Sequence, residues 1–257
     1  MAIFYDQLDN VLTIDATPKR IICLVPSLTE LLVDLGLEKN LVGITRFCIH
    51  PKNLKENKTI VGGTKKINFD KIKALKPDFI LTNKEENTQE IVALVSNIAP
   101  TFVSDLNTID AVLALNTTLG KLLNCQQKAK EINCEISRKK IDFLKFIKDK
   151  PSKKVAYFIW ANPFMVAGMN TFINHLLQLN KFKNAYSNQN RYPEIDIKKI
   201  KKIDFILLSS EPYPFKEKHK AQFKKYSNAK IILVDGEYFS WYGSRLIKAF
   251  DYFKTLH

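Results

Sequence analysis

Residues able to do chemistry gather in a few short segments of the 257-residue chain. Cys48 and His50 stand two apart, and on an extended strand they would point the same way. Such a couple suits a thiol–imidazole pair or two ligands of a metal ion. No orienting acid and no oxyanion loop accompanies them, so no catalytic residue is assigned and an enzyme is not expected. Glu85 and Glu86 adjoin one another just before a helical pattern, where negative charge favours the helix N-terminus more than acid–base work. Gly62-Gly63-Thr64-Lys65 lacks the spacing of a phosphate-binding P-loop. His175 and His219 lie in helical contexts and read as structural or surface residues. Cys23 sits in an apolar run, and Cys125 and Cys134 are about 13 Å apart along a helix, too far to bridge. The cysteines form neither a disulfide framework nor a metal motif, and no intrinsic cofactor is expected.

Aromatic and charged residues instead follow the apolar runs that read as strands. Arg46 to Pro51 follows one such run, and Asn83 to Asn87 another. Trp160 to Phe164, Ser210 to Phe215 and Gly236 to Arg245 follow three more, and both tryptophans of the chain fall in this set. In parallel α/β sheets ligands gather beyond the C-terminal ends of the strands. Rings on such loops, with a few charges among them, describe a pocket for a large flat or amphipathic ligand. His50, Lys65, Glu86, Glu211, Tyr213, Trp241 and Arg245 are the ligand-binding candidates this argument supplies. Lys65, Lys66, Arg191 and Arg245 would favour an anionic ligand.

The elements that must position these loops alternate. Strands are expected at 20–25, 41–45, 79–82, 101–104, 155–159, 205–209 and 231–234 from their short β-branched runs. Helices are expected at 29–35, 70–75, 88–96, 172–179, 196–201 and 245–253. This order predicts parallel sheets covered by helices. Between Lys121 and Lys150 there is neither Gly nor Pro, and apolar residues recur at three- and four-residue steps. With the segment from Thr108 to Leu119 this reads as some 40 residues of helix, about 60 Å long, ended by Pro151. Two helices broken near Gly120 are the alternative. The fold expected is therefore α/β: two lobes with mainly parallel sheets, at residues 1–107 and 151–257, joined by one long backbone helix at 108–150.

The lobes repeat each other. The stretch from Asp70 to Leu81 matches that from Asp196 to Leu207 at a constant offset of 126 residues, with Asp-Phe-Ile-Leu closing both. The formal charge of +14 comes mostly from short lysine runs such as Lys198-Lys199 and Lys201-Lys202, which read as solvated helix faces. No RNA-reading or zinc-finger signature is present, so no nucleic-acid partner is expected. Nothing approaches the ~20 apolar residues of a membrane span. Met1 to Ala16 carries three aspartates and does not read as a secretory signal. That predicts a cytoplasmic protein or a mature chain without its leader.

Arg20-Ile-Ile-Cys-Leu-Val-Pro-Ser-Leu-Thr-Glu30, the strand around Gly43, Ile72 to Ile80 and Trp241-Tyr-Gly-Ser-Arg245 together carry a resemblance. Over about residues 19 to 256 the chain resembles the helical-backbone (class III) periplasmic binding proteins, the substrate-binding components of ABC importers for cobalamin and iron–siderophore complexes. The resemblance implies a monomer that captures a metal chelate, a corrinoid or a ferric siderophore, and hands it to an inner-membrane permease. It implies ligand contacts at Phe47, Trp160, Phe164, Tyr192 and Phe239, and it places Thr64 where a cobalamin-binding relative has a tryptophan. It further implies that Asp70 and Asp196 dock into arginine pockets of the permease. Each also precedes a short helical pattern and is placed to cap it. The family works in the periplasm, which the N-terminus here does not explain. A cytoplasmic homologue that handles metal through Cys48 and His50, as an enzyme or chaperone, is the competing expectation.

Overall fold

The computed structural model describes residues 1–200 and 202–257. The chain divides into two compact units, Met1–Ser137 with Tyr242–Ile247, and Arg138–Trp241 with Lys248–His257. The second unit therefore lends a short C-terminal segment back to the first.

The first unit opens with an antiparallel hairpin of β1 (Ala2–Tyr5) and β2 (Val11–Ile14), which the sequence pattern did not announce. A βα alternation follows: β3 (Ile21–Cys23), α1 (Pro26–Asp34), β4 (Leu41–Thr45), α2 (Leu54–Asn57), β5 (Thr59–Gly62), α3 (Phe69–Ala74), β6 (Phe79–Asn83), α4 (Gln89–Ser96) and β7 (Thr101–Ser104). The strands form one parallel sheet in the order β5-β4-β3-β6-β7. Ile21, Ile22 and Cys23 of the central strand are fully buried, as a parallel strand covered on both faces must be. The chain winds outward from β3 in one direction and restarts at β6 in the other. That makes the ends of β3 and β6 the switch point where such sheets hold ligands. Side-chain caps fix where the helices begin: Asn68 accepts from the Lys71 amide at 2.9 Å and Thr88 from the Ile91 amide at 3.2 Å.

The expected 40-residue helix is two helices, α5 (Ile109–Leu122) and α6 (Gln126–Ile147). Gly120 does not cause the break, which comes at Leu123 to Cys125 with Asn124 in the left-handed region (φ 55°). Gly120 lies inside α5, where an added Cβ would meet the Cβ of Ala129 at 2.7 Å. The missing side chain thus lets α5 and α6 pack closely, and the Asn116 amide donating to Asn133 Oδ1 at 2.8 Å ties them further. The 22-residue α6, about 33 Å long, is the long helix that carries the chain from the first unit into the second, since the boundary at Ser137 falls within it.

The second unit holds β8 (Lys153–Trp160), β9 (Met165–Val166), α7 (Phe172–Leu179), β10 (Phe182–Asn184), β11 (Phe205–Ser209), α8 (Glu217–Lys224), β12 (Lys230–Val234), α9 (Glu237–Ser240) and most of α10 (Leu246–Lys254). The order β10-β8-β11-β12 is parallel throughout, with β9 antiparallel on β8. Phe158, Ile206 and Leu208 on one face pack with Ile197, Phe215 and Phe223. The helix expected from Asp196 shrinks to a 3-10 turn, Ile197–Lys199; Lys201, which would have ended it, lies outside the described residues.

The repeat has a structural reason. The Asp78 carboxylate accepts from the backbone amides of Lys19 and Arg20, both at 2.8 Å, just ahead of β3. Its counterpart Asp204 accepts from the Lys154 amide at 2.7 Å near the start of β8. In each unit the repeated aspartate ties the start of its own strand, β6 or β11, to the start of the neighbouring central strand.

Candidate functional site

In the first unit the loops beyond the strand ends are knitted by amide side chains. Asn87 donates to the carbonyls of Thr64 at 3.0 Å and Leu24 at 3.3 Å, and accepts from the Asn83 amide at 3.0 Å. One residue therefore joins the loops that follow β3, β5 and β6. Asn83 Oδ1 accepts from the amides of Glu85 and Glu86 at 2.8 and 3.1 Å, which sets the turn presenting both carboxylates. Lys65 reaches across to the Glu85 carbonyl at 2.5 Å. Burial pushes the Glu86 carboxyl above its ordinary value; Lys65 and the Thr64 hydroxyl oppose this, while Glu85 adds to it. Thr64, Lys65 and Glu86 thus belong to one cluster.

Beside it, Phe47 is 49% exposed and lies under the Arg46 guanidinium, 5.1 Å from the ring centroid. Gly63 permits this: a Cβ there would come within 3.1 Å of the Phe47 ring and 3.2 Å of Arg46. A pocket of about 480 Å³ opens next to the pair, lined by Arg46, Gly63, Lys66, Asn68, Phe69 and Asp70 among others. Arg46, named in the sequence only as part of its loop, is the cation that meets the aromatic surface.

The Cys48–His50 expectation is corrected. Cys48 is fully buried, and its sulfur lies 3.2 Å from Thr29 Oγ1 and 3.3 Å from Thr45 Oγ1. Burial raises its pKa, and Cys23 beside it is pushed up to about 12. The thiolate that would attack or bind metal is therefore disfavoured. His50 lies outside the core, half-buried. Among the described residues no group of three or more His, Cys, Asp or Glu could hold a metal ion.

The second unit arranges its loops by ring packing. Trp160, at the end of β8, is 39% exposed and meets Tyr213 edge-on at 5.7 Å. Tyr213 in turn contacts Phe215 at 4.7 Å and His219 at 5.5 Å. Glu211 accepts from the Ser240 hydroxyl at 2.5 Å, joining the loop after β11 to α9. Gly236 makes that approach possible, because a Cβ there would come within 2.4 Å of Ser209 Oγ and 2.6 Å of Glu211 Cγ. Tyr192 is half-buried in a loop after Arg191, whose φ is 56°.

Four other candidates are turned inward. Phe239 is fully buried between Tyr157 and Phe253, with ring centroids 5.0 and 4.9 Å away. Phe164 packs on Phe158 and Phe223 as part of the core margin. Trp241 is buried. Arg245 is buried in the first unit, where its Nε donates to Glu30 at 2.8 Å. Apolar packing engages Phe239 and Phe164 and buries Trp241, with Phe164 left partly exposed, and the Glu30 carboxylate engages the arginine. Glu30 itself escaped the sequence argument, because a charged residue inside an apolar helix gives no hint of a partner 215 residues away. Burial raises its pKa more than Arg245 lowers it.

Asp70 and Asp196 are both exposed. Asp196 caps its 3-10 turn by accepting from the Lys198 amide at 2.9 Å. Asp70 is not a cap, since Asn68 fills that role for α3, and its carboxylate stands in the first turn beside the pocket.

A family model described as periplasmic binding protein matches residues 21–232. The chain belongs to that family. It is 26% identical over 211 residues to YvrC of Bacillus subtilis, an uncharacterized ABC transporter substrate-binding lipoprotein, with 77% of this chain and 65% of the relative covered. It is 28% identical over 206 residues to the Fe(3+)-citrate-binding protein YfmC of the same organism, with 75% and 62% covered. The chain thus spans under two thirds of the length of these curated relatives. The structure of the periplasmic vitamin B12 binding protein BtuF of Vibrio cholerae matches with a TM-score of 0.80 at 18% identity, covering 93% of this chain and 96% of that one. This agreement shows the shared α/β fold, and the relatives in the family are binding proteins by name.

Proposed function

We propose that this family member is the substrate-binding component of an ABC-type importer, capturing a metal chelate of the ferric siderophore, ferric citrate or corrinoid class. The observation that carries the reading is the pair of exposed aromatic platforms at strand ends, Phe47 under Arg46 and Trp160 against Tyr213. Flat rings at the mouths of parallel sheets bury the apolar body of a large ligand. In the first unit Arg46 and Lys66 line the pocket and Lys65 adjoins Lys66 in the chain, which suits a chelate that carries carboxylates. Relatives named for ferric citrate and vitamin B12 support the ligand class. The protein binds and releases its ligand unchanged, works on the outer side of the cytoplasmic membrane, and meets its permease through Asp70 and Asp196, the exposed acidic residues that the repeat places one in each unit.

The test is retention of visible absorbance after incubation with ferric citrate, a ferric siderophore or cobalamin and removal of free ligand. One of the three binds below about 100 μM, and Trp160→Ala weakens that binding about tenfold, the loss expected for one stacking ring near 1.4 kcal/mol. If none of the three is retained at that concentration, the proposal fails.

A further inference from the structure

One stretch of the second unit is rich in lysine and free of arginine. Between Asp196 and Lys230 there are ten lysines against four carboxylates, and no arginine. The fold brings the two richest parts of this stretch together. The 3-10 turn before β11 and helix α8 between β11 and β12 contribute Ile197 and Phe223 to the same core cluster as Ala156, Phe158, Ile206 and Leu208, so both cover one face of the sheet. Lys198, Lys199 and Lys202 from the first, and Lys218, Lys224 and Lys225 from the second, are all exposed. Glu217, the carboxylate within α8, is paired to Lys220 at 2.8 Å. The Asp204 carboxylate receives the Lys154 amide and that of Asp196 the Lys198 amide. Lysines thus outnumber carboxylates in this layer, although Asp196 stays exposed at its edge.

We infer that this lysine layer is a contact surface for an anionic lipid bilayer. A lysine ammonium is a compact point charge, whereas arginine supplies the planar fork that reads discrete phosphates and carboxylates. A layer with lysine alone matches a diffuse field of lipid headgroups better than a nucleic acid or a shaped acidic protein. Tyr226, 40% exposed just past α8, is the residue type enriched at headgroup depth. Several lysines near an anionic surface add up, and their field decays within about 8 Å at physiological ionic strength. Contact of this kind would keep the protein at the membrane where an importer works, but it does not depend on which ligand is carried. Vesicle binding and chelate retention therefore fail separately.

The test is co-sedimentation of the full chain with vesicles of phosphatidylcholine containing about 30% phosphatidylglycerol, against pure phosphatidylcholine, at low and at 0.5 M salt. The protein should partition onto the anionic vesicles alone, and salt should release it. The triple variant Lys218→Glu, Lys224→Glu, Lys225→Glu should lose at least tenfold in partitioning. The equal charge reversal Lys39→Glu, Lys121→Glu, Lys130→Glu, at exposed sites of the first unit, should lose less than threefold. A circular-dichroism melt of both variants identifies any loss due to unfolding, in which case single reversals replace the triple. The inference is overturned by no binding to anionic vesicles, by equal losses in both triples, or by a homopolymeric RNA that displaces the vesicles at equal charge concentration.

Discussion

The first unit holds its loops mainly by directional hydrogen bonds from Asn83 and Asn87, whereas the second adds a cluster of packed rings to hydrogen bonds such as that from Ser240 to Glu211. Asn83 and Asn87 between them engage the backbone of five residues besides each other's, and neither has much freedom to deviate. In the second unit Phe158, Phe164, Phe215 and Phe223 form a cluster with centroid distances of 4.8 to 6.0 Å, on whose margin Tyr213 and Trp160 ride. Hydrogen bonds fix backbone position, whereas ring packing fixes volume and leaves the outermost rings some room to adjust. The difference assigns a fixed charge geometry to one unit and an adaptable stacking surface to the other.

Removing the central ring is the strongest way to break the second arrangement. Phe223 is fully buried and meets Phe158 at 4.8 Å and Phe164 at 5.2 Å. Phe223→Ala should cost about 3–5 kcal/mol in denaturant unfolding. A loss below about 1 kcal/mol would mean that the cluster collapses into the space and that packing does not hold the loop. The buried pair of the first unit comes next. Glu30→Ala leaves the Arg245 guanidinium without its carboxylate, and such a change costs about 3–5 kcal/mol at most and less if the arginine swings to solvent. Arg245→Met together with Glu30→Met should recover most of that loss, because an apolar pair of similar volume carries no desolvation penalty.

Asn87→Ala sharpens the comparison directly. It abandons the buried Leu24 carbonyl, the part-buried Thr64 carbonyl and the Asn83 amide, at about 1–3 kcal/mol for the unsatisfied groups. Ligand binding should fall more than stability, since the carbonyl of Thr64 and the turn carrying Glu86 both lose their anchor. Equal losses of both would reduce Asn87 to a structural residue.

These residues also show which parts of the molecule the sequence could disclose. The seven expected strands are all present, because a strand buried on both faces must be an apolar run and an apolar run is visible. The hairpin of β1 and β2 escaped notice because Ile3, Tyr5 and Val11 face solvent there, so burial imposes no simple pattern. The number of helices in the middle was set by Asn124, whose left-handed φ leaves no trace in periodicity. At the site, residue types after strand ends located the loops, and Phe47, Trp160 and Tyr213 are exposed or half-exposed there. Sequence could not tell these from Phe239 and Trp241. Which ring of a loop turns outward depends on partners such as Tyr157, which is far away in the chain from Phe239.

The smallest expected effect concerns the proton on Glu86. Burial raises its pKa in the folded chain above the ordinary value of about 4.3, so the folded state binds this proton more tightly than the unfolded state does. The stability tied to it is fully present below the ordinary carboxylate value and is lost as pH rises through the raised one. Glu30 shifts in the same direction for the same leading reason, so the wild-type chain alone does not isolate either group. Glu86→Gln keeps the shape and removes the titration. Melting temperature against pH, taken from pH 4 to 7 for both proteins, should show a shallower decline in the variant above the ordinary carboxylate value. Parallel curves would mean that Lys65 and the Thr64 hydroxyl stabilise the carboxylate enough to cancel burial. Lys65 and the Thr64 hydroxyl would then hold the carboxylate in its charged form, and the first unit would favour a less anionic chelate than its lysines and Arg46 suggest.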